Sequence, residues 1–235
     1  IYGRGSLDDK QGVLGNLEAA ESLLAEGFVP ARTIVFAFGH DEEISGQHGA
    51  AKLAGRMREK GWHFAWMVDE GGMVISNAMS EDTLTNSYVR TTTALTMFNA
   101  GVKENVVPQR AEAKVNFRLL PGDTPETVVS YITELVDDPG IEISYDQWDK
   151  VPGVADYSGG GFAVISEAVS SVYPDAVIVP SLLVATTDTR HYIDLVDDQY
   201  RFQGMLVKVS QAASVHGTNE YIDIQSSENA IEVAR

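Results

Sequence analysis

Acidic residues outnumber basic ones two to one in this chain, 34 against 17, so adjacent carboxylates mean something only through where they fall. Three polar clusters stand directly after apolar runs of strand length. Asp41-Glu42-Glu43 follows residues 33–38, Asp69-Glu70 follows 63–68, and Thr187-Asp188-Thr189-Arg190-His191 follows 176–184. Ligands of open α/β sheets bind beyond the carboxyl ends of the strands, so three clusters at three such ends point to one cleft. Asp8-Asp9 stands just before the first helical run, where amide groups at a helix start also orient a carboxylate.

Carboxylates gathered in one cleft repel each other and lose hydration. A divalent cation resolves that conflict more naturally than protonation of the whole set. The chain has no cysteine, so the ligands are carboxylate oxygen and imidazole nitrogen, a set suited to Zn²⁺, Mn²⁺ or Co²⁺. Two adjacent glutamates divide the work: one binds metal while the other takes a proton from metal-bound water. His216 lies in ValHisGlyThrAsnGlu, whose glycine and polar neighbours predict a loop and an imidazole placed to ligate. His191 stays undecided, His40 and His48 flank the acidic cluster as supporting or surface groups, and His63 reads as structural. Asp137-Asp138, Asp197-Asp198 and Glu18 with Glu21 read as solvated surface.

The elements that must position these groups follow from periodicity. Residues 10–26 place Val13, Leu14, Leu17, Ala20 and Leu24 on one helical face and end at Gly27. A second helix is predicted at 47–60, between strands at 33–38 and 63–68. Strand, helix, strand predicts βαβ units and a parallel sheet with both faces covered. After about residue 86 the period becomes two, at 93–99 and 112–118, which fits an antiparallel pair with one wet face. Thr124-Pro125 opens a helix carrying Val128, Val129, Ile132, Leu135 and Val136, and 141–145 completes a β-β-α-β segment. From about 150 the α/β character returns, with a helix through 163–172 after Gly159-Gly160-Gly161. A strand at 176–184 carries a bulge or edge at Pro180, and a last helix starts near Ser226-Ser227.

Composition bounds the partners. The net charge of −17 and pI near 4.5 argue against nucleic acid, which needs a basic footprint, and against a polybasic membrane contact. At 44% hydrophobic and 22% charged residues the chain is an ordinary folding mixture. Its lack of cysteine excludes disulfides and leaves the compartment open. There is no run of 18 apolar residues, and Ile1 opens no signal peptide. The start reads as mid-element, trimmed or matured, so localisation stays unassigned.

Taken as a set, the motifs resemble the M20 metallopeptidases. GlyArgGlySerLeuAspAspLys at 3–10, HisAspGluGluIleSerGly at 40–46, ValAspGluGlyGly at 68–72, ThrAspThrArgHisTyr at 187–192 and HisGlyThrAsnGlu at 216–220 match in order and spacing. TyrValArgThrThrThrAlaLeuThr at 88–96, LysGluAsnValValPro and ValAsnPheArgLeuLeuProGlyAsp resemble the carboxypeptidase S and N-acyl-amino-acid hydrolase branch. The resemblance implies an α/β fold: a three-layer catalytic domain with a mostly parallel sheet, split into 1–86 and 150–235 by a lid or dimerisation insertion at 87–149. It implies two Zn²⁺ ions (Mn²⁺ or Co²⁺ as substitutes), with Asp8 bridging them and a cis peptide to Asp9, a further residue of the catalytic centre. Glu42 would be the general base, Glu43 and His216 ligands of one metal, and Asp69 or Glu70 a ligand of the other. Asn105 would hold the oxyanion, and Arg190 with His191 the substrate's carboxylate. Arg suits that task because its planar fork matches a carboxylate.

Three departures stand out, one of them a last helix that stops early at Arg235. The family's His-x-Asp motif, on the strand before GlyArgGly, has no counterpart in these residues. Gly72 also reaches Thr91-Thr92-Thr93 too soon for the strand and helix that open the family's lid. The expected function is metal-dependent hydrolysis of a peptide or N-acyl amide bond beside a free carboxylate, by attack of a metal-bridged water. The substrate is a small peptide or N-acyl amino acid, and the lid supports a homodimer. The alternatives are a catalytically inactive member that only binds, or an Mg²⁺-dependent phosphohydrolase. The latter is disfavoured because no Gly-x-x-x-x-Gly-Lys loop occurs.

Overall fold

Helix α1, Lys10–Ala25, begins where Asp9 Oδ1 accepts the Gly12 N–H at 2.9 Å, satisfying one of the amides that a helix start leaves open. Its buried residues are Gln11, Gly15 and Ala19, spaced by four, and not the leucines. Leu14, Leu17 and Leu24 are exposed, which corrects the expected face. The small side chains at 15 and 19 let the C-terminal helix approach closely, since a Cβ on Gly15 would already stand 3.9 Å from Ile231. The computed structural model describes residues 1–75, 88, 90–145 and 152–235. They fall into two units, Ile1–Ala78 with Lys150–Arg235, and Met79–Asp149. The boundaries expected at 86/87 and 149/150 lie outside the described residues.

In the first unit α1 is followed by a 3-10 turn at Glu42–Ile44, helix α2 (Ala50–Glu59) and strand β1 (Phe64–Ile75). In the second, β2 (Thr92–Ala100) pairs antiparallel with β3 (Ala111–Arg118), and helix α3 (Pro125–Val136) follows. Thr124 and Thr127 cap α3 reciprocally. Leu95, Met97, Phe98 and Val115 are all exposed, so the hairpin shows no single wet face. Back in the first unit come α4 (Gly160–Val172), a 3-10 turn at Asp188–His191, β4 (Val196–Val207), the short α5 (Val209–Ala212) and α6 (Ile224–Ala234).

β1 and β4 pair in parallel, from Phe64 opposite Val196 to Ile75 opposite Val207. β4 is not expected from periodicity, because its opening Val-Asp-Asp-Gln reads as a polar surface run. The register slips between Asp69 and Gly72 and again before Val74, a bulge that re-aims the side chains just before it. Gly72 fits because its Cβ would lie 2.7 Å from Arg201 O. The expected strands at 33–38, 141–145 and 176–184 have no ladder among the described residues. Ile34, Phe36, Phe38, Val177 and Val179 are exposed. Their composition is that of strands, but composition does not supply a hydrogen-bonding neighbour.

Two apolar clusters hold the first unit. Ala50, Ala54, Met57, Tyr192, Leu195 and Val196 join α2 to the start of β4, with Val35 packed against them. Leu7, Met205, Val207, Ile222 and Ala230 join β4 and α6 to the N-terminal loop. Leu7 is 1% exposed, and burying a leucine contributes roughly 1.5–3 kcal/mol, so it pins the segment that carries Asp8. This is a mixed α/β architecture with a parallel strand pair, consistent with three layers.

Candidate metal centre

The N-terminal loop is sewn to the segment after His216. Ile1 donates its N-terminal amine to Ile222 O at 2.9 Å, Gly3 N–H donates to Glu220 O at 3.0 Å, and Tyr2 stacks on Tyr221. The loop turns at Gly5, whose φ of +76° suits glycine, and Lys10 N–H closes it on Gly5 O at 2.8 Å. Asp8 follows at its end, joined to Asp9 by a cis peptide, as the resemblance implies.

Glu42 and Glu43 occupy the 3-10 turn. Asp41 anchors that turn by accepting His48 N–H at 2.7 Å. This bond, above all, holds the Asp41 carboxyl below the usual range. The turn ends in left-handed backbone at Ser45 and Gly46. At Gly46 a Cβ would meet Asp188 Oδ1 at 2.2 Å and His191 Nε2 at 3.1 Å, so only glycine lets the turn lie against Asp188–His191.

His216, itself at φ +61°, completes the cluster. Its Nε2 lies 2.8 Å from Asp8 Oδ2 and 2.9 Å from Glu43 Oε1. One ligand atom from each of these three residues falls within 4.8 Å of the others. Bonds of about 2.0–2.2 Å to nitrogen and carboxylate oxygen in a tetrahedron separate neighbouring ligand atoms by roughly 3.3–3.5 Å. The donor chemistry and spacing therefore fit a divalent cation after an opening of a few tenths of an ångström.

The other expected residues distribute around this cluster. Glu42 Oε1 accepts from Arg190 NH2 at 3.0 Å. Burial raises the Glu42 carboxyl most; Arg190 opposes it, and Asp188, Glu43 and Asp8 reinforce it, leaving it above its ordinary value. Glu70 is also raised, by burial first and then by a hydrogen bond with Asp8. Asp69 Oδ2 accepts Thr189 N–H at 3.1 Å. Neither Asp69 nor Glu70 joins the three-residue group. Asp9 is pushed up to about 7, mainly by burial, against the Gly12 N–H it caps. His191 Nε2 lies 2.8 Å from Ser45 O. Asn105 lies exposed in the turn between β2 and β3 of the second unit.

Several supporting residues escaped the sequence reading. Glu220, 2% exposed, accepts from Leu7 N–H at 2.9 Å, Asp8 N–H at 3.1 Å and Arg4 NH1 at 2.9 Å. Arg4 NH2 reaches Glu43 Oε1 at 3.1 Å. Buried Thr189 accepts at Oγ1 from Arg201 Nε (3.1 Å) and NH2 (2.8 Å), and at its carbonyl from Gln199 Nε2 (3.0 Å). Arg4, Glu220 and Thr189 all lie within the quoted motifs, so the signal was present. What a linear sequence lacks is the burial that separates a supporting glutamate from a surface one.

An α/β unit with a carboxylate and imidazole cluster beside its parallel strands defines a candidate metallohydrolase class. The whole chain, residues 1–235, matches peptidase family M20/M25/M40, and it belongs to that family. It is 29% identical to the N-fatty-acyl-amino acid synthase/hydrolase PM20D1.1 of Danio rerio, covering 98% of this chain and 64% of that protein. It is 26% identical to the probable carboxypeptidase S-like 2 of Dictyostelium discoideum, covering 99% and 64%. The chain thus spans just under two thirds of these relatives. The zebrafish alignment runs over 330 positions, so about a hundred face no residue of this 235-residue chain. A solved M20 family metallo-carboxypeptidase, Sso-CP2 of Sulfolobus solfataricus, shares the fold with a TM-score of 0.51 at 16% identity, over 94% of this chain and 50% of that one. No helix among the described residues is long and apolar enough to cross a membrane.

Proposed function

We propose that this protein hydrolyses an amide bond, peptide or N-acyl, beside a free carboxylate, at a zinc centre held by Asp8, Glu43 and His216. The observation that carries this reading is the convergence of one imidazole nitrogen and two carboxylate oxygens from three separate segments. Bound there, a divalent cation supplies Lewis-acid polarisation of the carbonyl and a lower pKa for the attacking water. Asp8 is available to a second cation as well, with Asp69 or Glu70 on that side; Mn²⁺ or Co²⁺ would satisfy the same donors.

The remaining steps belong to the chain's own residues. Glu42 takes the proton of the attacking water and passes it to the leaving amine; burial raises its carboxyl and so makes it a stronger base than a free glutamate. Arg190 binds the substrate carboxylate through its planar fork, with His191 beside it fixing the turn on Ser45. For Asn105, in the second unit, the family resemblance implies the role of oxyanion donor. Asp9 holds the start of α1, and with it the backbone that aims Asp8. The names of the relatives, an N-fatty-acyl-amino acid synthase/hydrolase and a probable carboxypeptidase S-like protein, support this substrate class. Assay of an N-acyl amino acid and a dipeptide, with and without added zinc, tests it. Hydrolysis of neither by the zinc-loaded protein would contradict it.

A further inference from the structure

Glu220 is the most deeply placed charge near the cluster, yet it is not one of the three converging ligands. Its Oε1 takes the N–H groups of Leu7 and Asp8, and its Oε2 takes Arg4 NH1. The other arm of Arg4 ends on Glu43 Oε1, the oxygen that also faces His216 Nε2. Glu220 itself lies four residues beyond His216, and its own carbonyl ties down Gly3 N–H. One buried carboxylate is therefore linked to all three residues. It holds Asp8 through the backbone, Glu43 through Arg4, and His216 through their shared loop.

We infer that Glu220, acting with Arg4, is the positioning residue that sets Asp8, Glu43 and His216 at ligating distance. The inference rests on the metal reading above. The three ligands come from segments distant in sequence, and the loop 3–9 that carries Asp8 is neither helix nor strand, so no ladder of its own fixes it. Fixed orientation of ligands by hydrogen-bonded partners is worth 10–100-fold in metal affinity in comparable centres. Arg4 is half exposed while Glu220 is buried. The arginine thus bridges from a fixed interior anion to a ligand at the surface. A lysine there keeps the charge but has one terminal nitrogen, too few to bridge Glu220 and Glu43 in this geometry.

The test is zinc affinity of the intact protein, measured by competition with a chromophoric chelator, beside its melting temperature. His216→Ala calibrates the site. If it leaves zinc affinity and stoichiometry at parental values, the metal reading fails and this inference with it. If His216→Ala weakens zinc, the Glu220 variants decide. Glu220→Gln and Glu220→Asp should both weaken binding about 10–100-fold. Glu220→Asp matters because it keeps the negative charge and withdraws it by one methylene. Parental affinity in Glu220→Asp would mean that charge alone acts, and a lowered melting temperature with unchanged zinc affinity would mean a role in folding only. Either result overturns the inference. Should the Glu220 variants fail to fold, Arg4→Lys carries the test: a tenfold weakening is expected, and parental affinity there overturns it.

Discussion

Arg190 NH2 stands 3.0 Å from Glu42 Oε1, so the residue assigned to the substrate carboxylate meets the residue assigned to the water. A substrate carboxylate arriving at Arg190 competes with Glu42 for the same guanidinium. The amide of Glu42→Gln preserves shape and still offers an oxygen to Arg190, but it cannot take a proton. This variant should retain its zinc and lose about 10²–10⁴ in kcat. Loss of a full metal equivalent in Glu42→Gln, with none lost in Glu43→Gln, would reverse the two roles.

Arg190→Lys should act on substrate recognition. Replacing a bidentate partner by a single ammonium removes a charge-assisted hydrogen bond worth roughly 1.5–3 kcal/mol, an increase of roughly 10–150-fold in KM if the contact is equal in ground and transition states. The comparison that decides is a free carboxylate substrate against its C-terminal amide. Equal losses on both would remove Arg190 from the carboxylate subsite.

Acid should unfold the first unit through Glu220. Burial works to raise this carboxyl, but the N–H groups of Leu7, Asp8 and Gly5 together with Arg4 outweigh it and hold the group down at about 2. A folded value below the unfolded one means stability that is complete above about pH 4.5 and is lost as pH falls towards 2. The shift corresponds to about 3 kcal/mol. Denaturant titrations at stepped pH should show this loss in the parent protein and a flatter acid limb in Glu220→Gln. An unchanged acid limb in that variant would refute the assignment.

Gly46→Ala should destabilise by roughly 1–3 kcal/mol, because its backbone is left-handed and its new Cβ would strike Asp188. Chemical denaturation measures this, and a change under 0.5 kcal/mol would show that the turn moves aside without cost.

Much of the centre was legible because its residues sit in short motifs with distinctive order. Asp8, Glu43 and His216 were named from those motifs, and the structure brings them together. The helices at α1, α2, α3, α4 and α6 and the pairing of β2 with β3 also followed from period and capping signals. Faces and edges were less legible. α1 buries Gly15 and Ala19 and exposes Leu14, Leu17 and Leu24, because a close helix contact selects small side chains over large apolar ones. β4 carries Asp197, Asp198 and Arg201 within one strand, so its polar positions hid its ladder. Residues 33–38 and 176–184 have strand composition but, among the described residues, no neighbour in register, and pairing is a property of two segments.

On the proposed mechanism, Asp8, Glu43 and His216 hold the metal on which turnover depends. The most direct measurement removes metal with a chelator, then follows hydrolysis of an N-acyl amino acid as zinc is returned to the parent protein and to His216→Ala. Activity should be lost on chelation and recover with zinc in the parent, and the activity curve of His216→Ala should be displaced to much higher zinc. Activity that survives chelation, or an identical zinc dependence in His216→Ala, would contradict that mechanism.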